Sequence, residues 1–241
     1  MSAPAQDRPG RSLVLPPLFI GIAAANPAAV HRDACALASG ERAGTLLHAD
    51  DGRNVGFAVV LAPEEPLWTA RRAFLVGMTA LADAVGAHAP PEKAIRLVWP
   101  DGLRFNEAGL GGGRLAWPGD CPEEAVPDWL VFSAMLIASK RHAGDPGLTP
   151  DTTSIEEEVF EVEDRGVFVE SFARYLMKAF EIWAEDGFEP LGAAYRAYLP
   201  DGEAGRLTAA GDLAVGDGVR PLRAALEKPA WLDPATGSPR L

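Results

Sequence analysis

The sequence predicts an α+β protein in which helices pack on one face of a mixed, mainly antiparallel sheet. Strand-like segments come in adjacent pairs joined by short turns, as in β-hairpins. Two longer segments place their apolar residues at helical spacing. Because strands and helices do not alternate regularly, a layered α+β architecture is favoured over parallel βαβ units. A chain of 241 residues has the length of one core with a small appendage.

The first third of the chain is predicted to form a helix, a hairpin and a long helix. Asn26 followed by Pro27 is typical of a helix start, and Gly40 is expected to end that helix. Residues 44–62 are predicted to form a hairpin. The long helix, 67–85, is predicted from one apolar face, formed by Ala70, Phe74, Met78, Leu81 and Val85.

The middle of the chain is predicted to add a second hairpin and a buried strand. After a strand at 94–98, the chain is expected to run out along Leu103–Phe105 and return along Arg114–Trp117. The glycines at 109–113 are expected in the bend. Residues 129–139 are continuously apolar, which suits a central strand covered on both faces.

The remaining residues define the predicted domain limits. A second amphipathic helix is expected before Gly187, and a short one from Pro190 to Pro200. Residues 1–11 are predicted to be a disordered tail, 12–200 the main domain, and 201–241 a small β-rich appendage with a Pro-rich tail from Pro229.

Composition excludes some classes of function. The net charge of −12 argues against a nucleic-acid surface, which needs clustered basic residues. The apolar run from Leu13 to Ala25 is short and broken by prolines, so no membrane segment is expected. Cys35 and Cys121 lie far apart and are predicted to be reduced. A cytoplasmic location follows, and no metal site is expected.

The motif that carries most information follows the strand at 94–98. Trp99, Pro100 and Asp101 reverse the chain, and the glycine-rich return strand follows in AIRLVWPDGLRFNEAGLGGGRLAWP, residues 94–118. Farther on, Thr153-Ser154-Ile155 precedes the helix at 171–191. Over roughly residues 30–200 the chain resembles the biotin/lipoate protein ligase superfamily, whose members carry Lys-Trp-Pro-Asn-Asp and then a Lys-x-Gly-Gly return strand. A ligase-like group of uncertain function shares the Trp-Pro motif.

The resemblance implies a fold, a ligand class and partners. The fold is that of biotin ligases and class II aminoacyl-tRNA synthetases. The expected ligand is a small carboxylic acid like biotin or lipoate, activated with ATP and Mg²⁺ if the protein is active. The acceptor would be a lysine of a biotinyl or lipoyl carrier domain, and a homodimer is compatible with the resemblance. The implied ligand-binding residues are Arg53, Trp99, Pro100, Asp101, Gly111 and Gly112.

The chain departs from the family where positive charge is needed. Val98 and Gly109 stand at the two lysine positions, and the first hairpin loop keeps only Arg53 of an Arg-rich sequence. The Gly-x-Gly-x-Asn of the later strand is replaced by Phe132-Ser-Ala-Met. Arg96 and Arg114 are the candidate catalytic replacements. Adenylation passes through an anionic transition state that fixed positive charges must stabilise. The loss of these charges therefore predicts a degenerate catalytic site.

Two alternatives remain open at this point. The first is a non-catalytic descendant that binds a small molecule or a carrier protein. The second is an acyltransferase that uses a Cys or Lys nucleophile without ATP, with Cys121 as the only cysteine placed to serve. For the ligase-like reading, Trp99, Asp101, Gly111 and Gly112 are expected to line one pocket. Valine at Gly112 should then block the ligand and leave the fold intact.

Overall fold

The computed structural model describes residues 12–40 and 43–241. In chain order, the helices and strands are β1 (Ile20–Ala23), α1 (Val30–Ala38), β2 (Thr45–Asp50), β3 (Asn54–Leu61), α2 (Leu67–Ala70), α3 (Ala73–Gly86), β4 (Ile95–Val98), β5 (Gly102–Phe105), β6 (Ala108–Ala116), β7 (Leu130–Ile137), α4 (Gly166–Asp186), α5 (Glu189–Ala197), β8 (Arg206–Leu207), β9 (Leu213–Val215), β10 (Gly218–Arg220), α6 (Leu222–Leu226), β11 (Leu232–Asp233) and β12 (Ser238–Pro239). Short 3₁₀ turns cover Arg141–Ala143 and Pro146–Leu148. The predicted tail, 1–11, lies outside the described residues.

The centre of the molecule is a seven-stranded sheet with the order β1-β2-β3-β7-β6-β5-β4. Strands β1 and β2 are parallel, and every other neighbouring pair is antiparallel. The prediction of a mixed, mainly antiparallel sheet is therefore confirmed. Strand β7 lies between β3 and β6, and all of its residues are buried. This confirms the prediction of a central strand covered on both faces.

Helices cover both faces of this sheet. On one face, Phe132 of β7 stacks on Phe172 of α4 with ring centroids 5.4 Å apart. On the other face, Val30 and Ala34 of α1 are buried with Val131. The expectation that all helices share one face is wrong for α1. The apolar central strands expose side chains alternately to both faces, so each face needs a cover.

The long helix predicted at 67–85 is interrupted between α2 and α3. At Arg72 and Phe74 the backbone N–H groups donate to carbonyls three residues back instead of four. The two arginines at this tightened turn are paired with acidic groups: Arg71 with Glu123, and Arg72 with Glu65. A periodic apolar pattern continues across such a turn, which is why the sequence predicted a single helix.

The glycines predicted in the second bend lie inside β6 instead. The bend is formed by Asn106 and Glu107, which adopt positive φ angles of 48° and 69°. A two-residue turn with this geometry matches the twist of a hairpin. Gly111 has φ 155°, and a Cβ there would lie 2.0 Å from the carbonyl oxygen of Met135. Glycine is therefore required at this position by the close approach of β7.

The C-terminal region packs on the main domain. Strands β8, β9 and β10 form a small sheet, and Leu213, Leu222 and Leu226 join the main buried cluster. The segment after Pro229 was expected to be a tail, and this is wrong. Strands β11 and β12 pair with each other, and the hairpin that they form lies against β7.

The described helices are all short for membrane spans or too polar. The longest of the described helices, α4, has 21 residues and carries several charges. Within residues 12–40 and 43–241, no helix has both the length and the apolar character needed to cross a bilayer.

A substitution at Gly77 of α3 tests how closely this helix packs on the central sheet. A Cβ at this position would lie 2.4 Å from the buried ring of Phe132. We expect Gly77→Ala to lower the free energy of unfolding by about 1–3 kcal/mol, because overpacking outweighs the better helix propensity of alanine. Urea denaturation measures this. Gly119→Ala is the control, since its Cβ would meet no atom within 4 Å. Unchanged or increased stability of Gly77→Ala would contradict this packing.

Candidate functional site

A polar cluster lies beneath the C-terminal hairpin, on the face of the sheet that α1 covers. Arg114 of β6 is paired in register with Ser133 of β7. His31 of α1 reaches across, and its Nδ1 lies 2.7 Å from Ser133 Oγ. Trp231 closes the cluster from the side of the hairpin. We call the space among these four residues and Met135 the α1-face pocket.

The approach of α1 to the sheet depends on a glycine of β3. A Cβ at Gly56 would lie 2.9 Å from Cβ of Pro27, at the entry to α1. Asn26 fixes this entry, since its Oδ1 accepts a 3.0 Å hydrogen bond from Ala29 N–H. The helix therefore starts directly above the sheet, and His31, one residue after the start of α1, reaches β7.

Arg114 brings a positive charge into the pocket. The residue is half-buried, and its guanidinium has no hydrogen bond or ion pair with any described residue. Burial lowers its pKa from the ordinary value. Burial, and next the charge of Arg114, lower the pKa of His31 to about 4. At neutral pH the pocket therefore contains one cation beside a neutral imidazole and a hydroxyl group.

Neither cysteine is activated as a nucleophile. Cys35 Sγ lies 3.9 Å from His31 Nε2, but burial raises the pKa of the thiol despite the nearby charge of Arg114. The pKa of Cys121 is also raised, first by desolvation and then by the neighbouring carboxylates of Asp128, Asp120 and Glu123. A reactive cysteine needs a lowered pKa, so the structure gives the cysteine form of the acyltransferase alternative no support.

Asp101 and Gly112 lie next to the pocket, where they hold Trp231. Ala230 N–H donates to Asp101 Oδ2 at 3.1 Å, and Trp231 Nε1 donates to the Gly113 carbonyl at 2.9 Å. A Cβ at Gly112 would lie 2.5 Å from the indole and 2.2 Å from the Asp101 carbonyl oxygen. The expectation that Gly112→Val leaves the fold intact is therefore wrong. The space above the backbone of Gly112 is occupied by the side chain of Trp231.

Trp99 and Pro100 lie on the other side of the sheet from the pocket. The Trp99 ring packs edge-on against Tyr195 of α5, with centroids 5.9 Å apart. Tyr195 Oη donates to the Pro100 carbonyl at 3.0 Å. The expectation that Trp99 and Gly112 line one pocket is therefore wrong. Trp99 continues the alternation of Ile95 and Leu97, which face the helical core.

The structure does not bring the three candidate arginines together. Arg53 is exposed in the β2–β3 turn, and Arg96 donates to the carbonyl of Ile95 at 3.3 Å. Strand register pairs Arg96 with Arg104, and Arg104 with Gly109, five residues before Arg114. At about 3.3 Å per residue and 4.8 Å per strand, the Cα atoms of Arg96 and Arg114 are roughly 15–20 Å apart.

The candidate arginines do not gather in one pocket of the described structure. Activation of a carboxylate by ATP needs positive charge around one reacting phosphorus atom. Arg114 lines the α1-face pocket, and Arg96 does not. Arg53 is at the opposite side of β7 from both. The three arginines therefore do not form one cationic site for ATP and Mg²⁺ in this structure.

Comparison with known proteins identifies the family of this chain. The sequence model of the biotin/lipoate A/B protein ligase family matches residues 15–197. The chain belongs to this family. No curated protein matches it in sequence.

Solved structures of this family share the fold. A biotin protein ligase-like protein of unknown function from a Silicibacter species is 28% identical, with a TM-score of 0.78. The match covers 89% of this chain and 99% of that one. Biotin protein ligase from Aquifex aeolicus is 18% identical with a TM-score of 0.61, covering 84% and 94%. The Aquifex enzyme is also known in complex with biotin and ATP, at 16% identity and a TM-score of 0.59 over 84% and 94% of the chains.

Sequence reasoning missed His31, Ser133 and Trp231. The spacing of His31 and Cys35 places both on one face of a helix, which was a usable signal. Ser133 interrupts an otherwise apolar buried strand, and such a residue needs a hydrogen-bond partner. No local signal could have linked Trp231 to β6, because the two segments are 118 residues apart in sequence.

The charge of Asp101 makes stability depend on pH. Burial raises the pKa of Asp101 to about 6, with the Ala230 N–H bond acting in the opposite direction. Tyr195, which is uncharged when protonated, faces Asp101. Because the pKa is higher in the folded protein than in the unfolded chain, protonation of Asp101 favours the folded state. This stability is fully present below the unfolded pKa of about 4 and is lost as the pH rises through 6.

We therefore expect Asp101→Asn to gain stability relative to wild type as the pH rises. The difference in unfolding free energy should shift by about 1–3 kcal/mol in favour of the variant between pH 4 and pH 8. Urea denaturation at both pH values measures the shift. The same difference at pH 4 and pH 8 would show that Asp101 is not desolvated in the folded protein.

Proposed function

We propose that this member of the biotin/lipoate ligase family binds a small carboxylic acid of the biotin or lipoate type in the α1-face pocket. The carboxylate pairs with Arg114. The observation that carries the proposal is a half-buried guanidinium with no partner among the described residues, inside a pocket with an otherwise neutral lining. An unpaired, partly desolvated charge is costly, and an anionic ligand would offset that cost.

The rest of the lining supports an acid with an apolar body. Pro27, Met135 and Trp231 supply apolar surface, and the Ser133 hydroxyl supplies a polar contact beside His31. Since His31 is neutral above about pH 4, it does not add a second cation at physiological pH. A pocket of this type favours one anionic head group and excludes a highly charged ligand.

We further propose that the catalytic site is degenerate. Val98 and Gly109 stand where the family carries lysines, and the Cα atoms of Arg96 and Arg114 are roughly 15–20 Å apart. If transfer activity persists, the acceptor is a lysine of a biotinyl or lipoyl carrier domain. The alternative, a non-catalytic binding protein derived from a ligase, is favoured by the same separation of the arginines.

Calorimetry with biotin, lipoate and octanoate, each without ATP, tests the binding proposal. At least one acid should bind, and Arg114→Ala should weaken that binding about 10- to 100-fold, because a charge-assisted hydrogen bond is lost. Arg104→Ala is the matched control: it removes an exposed arginine from the neighbouring strand and should leave the affinity unchanged. Equal affinity of Arg114→Ala and wild type would refute the assignment.

ATP–pyrophosphate exchange separates weak catalysis from full activity. We expect exchange driven by biotin or lipoate to be undetectable or reduced at least about 100-fold relative to an active ligase of the family, because removal of one charge donor costs about that factor. Brisk exchange that disappears in Arg96→Ala or Arg114→Ala would contradict the degenerate site. Those arginines would then be relocated catalytic charges.

A further inference from the structure

The α1-face pocket is filled by the protein itself. The free space among its lining residues is about 10 Å³, which is no more than one water molecule needs. Sites for small ligands usually measure roughly 300–1,000 Å³. An acid of the biotin or lipoate type therefore enters only if one wall of the pocket moves.

The walls differ greatly in how firmly they are held. Strands β6 and β7 are paired along their length, and every residue of β7 is buried. Helix α1 is fixed by Val30 and Ala34 in the core of that face. The C-terminal hairpin has two strands of two residues each. Such a hairpin is marginal on its own.

Few contacts attach this hairpin to the sheet. Among the residues that the structure describes, two hydrogen bonds are made across the interface: Ala230 N–H to the Asp101 carboxylate and Trp231 Nε1 to the Gly113 carbonyl. Leu232 and Pro239 are its buried side chains. The hydrogen bonds that Arg240 donates to the carbonyls of Ala230 and Trp231 lie within the hairpin itself. The hairpin is therefore the wall that opens at least cost.

We propose that residues 230–240 form a lid and that Trp231 occupies the place of the ligand in the closed state. This inference rests on the proposed function, because the ligand is the acid that pairs with Arg114. Gly112 leaves space for a flat apolar group above β6, and the indole fills it. The apolar part of the acid takes that space when the lid opens. The protein thus inhibits its own binding site.

The affinity of the full-length Trp231→Ala variant for biotin and lipoate tests the lid. With the competing indole removed, at least one of the two acids should bind about 10-fold more tightly than to wild type. The added substitution Arg114→Ala should abolish this gain. Trp68→Ala is the control, because Trp68 lies in α2, away from the pocket, and should match wild type.

The outcomes separate the lid from the pocket. If Trp231→Ala binds as tightly as wild type, or more weakly, while binding still requires Arg114, the lid is overturned and the proposed function stands. Trp231 is then a fixed wall or a ligand contact. If neither protein binds either acid, the proposed function fails, and the lid fails with it.

Hydrogen exchange of wild type gives a test that needs no ligand and no variant. The amides of Ala230 and Arg240 should exchange by local opening, at least about 100-fold faster than those of Met135 and Leu136 in β7. Exchange of both groups at one common rate, set by global unfolding, would mean that the hairpin does not open separately and would overturn the proposal.

Discussion

Strand β6 has no side chains at Gly111, Gly112 and Gly113, and neighbouring parts of the molecule close onto this bare backbone. At Gly111 the carbonyl oxygen of Met135 approaches, and at Gly113 the sulfur of Met78 lies 2.5 Å from where a Cβ would be. At Gly112 the indole of Trp231 takes the space instead. Strand pairing, helix packing and closure of the pocket thus all depend on three adjacent residues without Cβ atoms.

The three glycines also explain why Arg114 supplies the positive charge of the α1-face pocket. It is the first residue of β6 after the glycines that carries a side chain, and it emerges on the same face as Gly112. The adjacent surface is covered by α1 and the C-terminal hairpin, which supply no acidic partner among the described residues. A pocket built in this way holds one cation in an otherwise neutral environment, which suits a carboxylate and does not suit a polyphosphate.

The fold could be predicted because its signals are local. Hairpin pairs, the apolar periods of α3 and α4, and the unbroken apolar strand β7 are all properties of short segments. The bend at Asn106 and Glu107 was missed because glycine is the commoner residue at positive φ. The position of α1 on the second face was missed because burial of both faces is a property of the whole sheet.

The candidate site was predicted less well, for a physical reason. Asp101 and Gly112 were assigned to one place, and the structure brings them together. Their neighbour there is Trp231, a residue of the predicted tail, whose contacts span more than a hundred positions of sequence. Trp99 was assigned to the pocket by motif alone, although its alternation with Leu97 directs it to the helical core.

An acid bound beside Arg114 would change the surroundings of β6 and β7 on the α1 face. Two-dimensional NMR of the isotope-labelled protein, titrated with biotin and with lipoate, tests this binding most directly. We expect the largest chemical-shift changes on the backbone amides of Gly112, Arg114 and Ser133 and on the side-chain Nε–H of Arg114. Chemical-shift changes confined to the amides of Arg96 in the edge strand β4 and Arg104 in β5 would refute binding at Arg114.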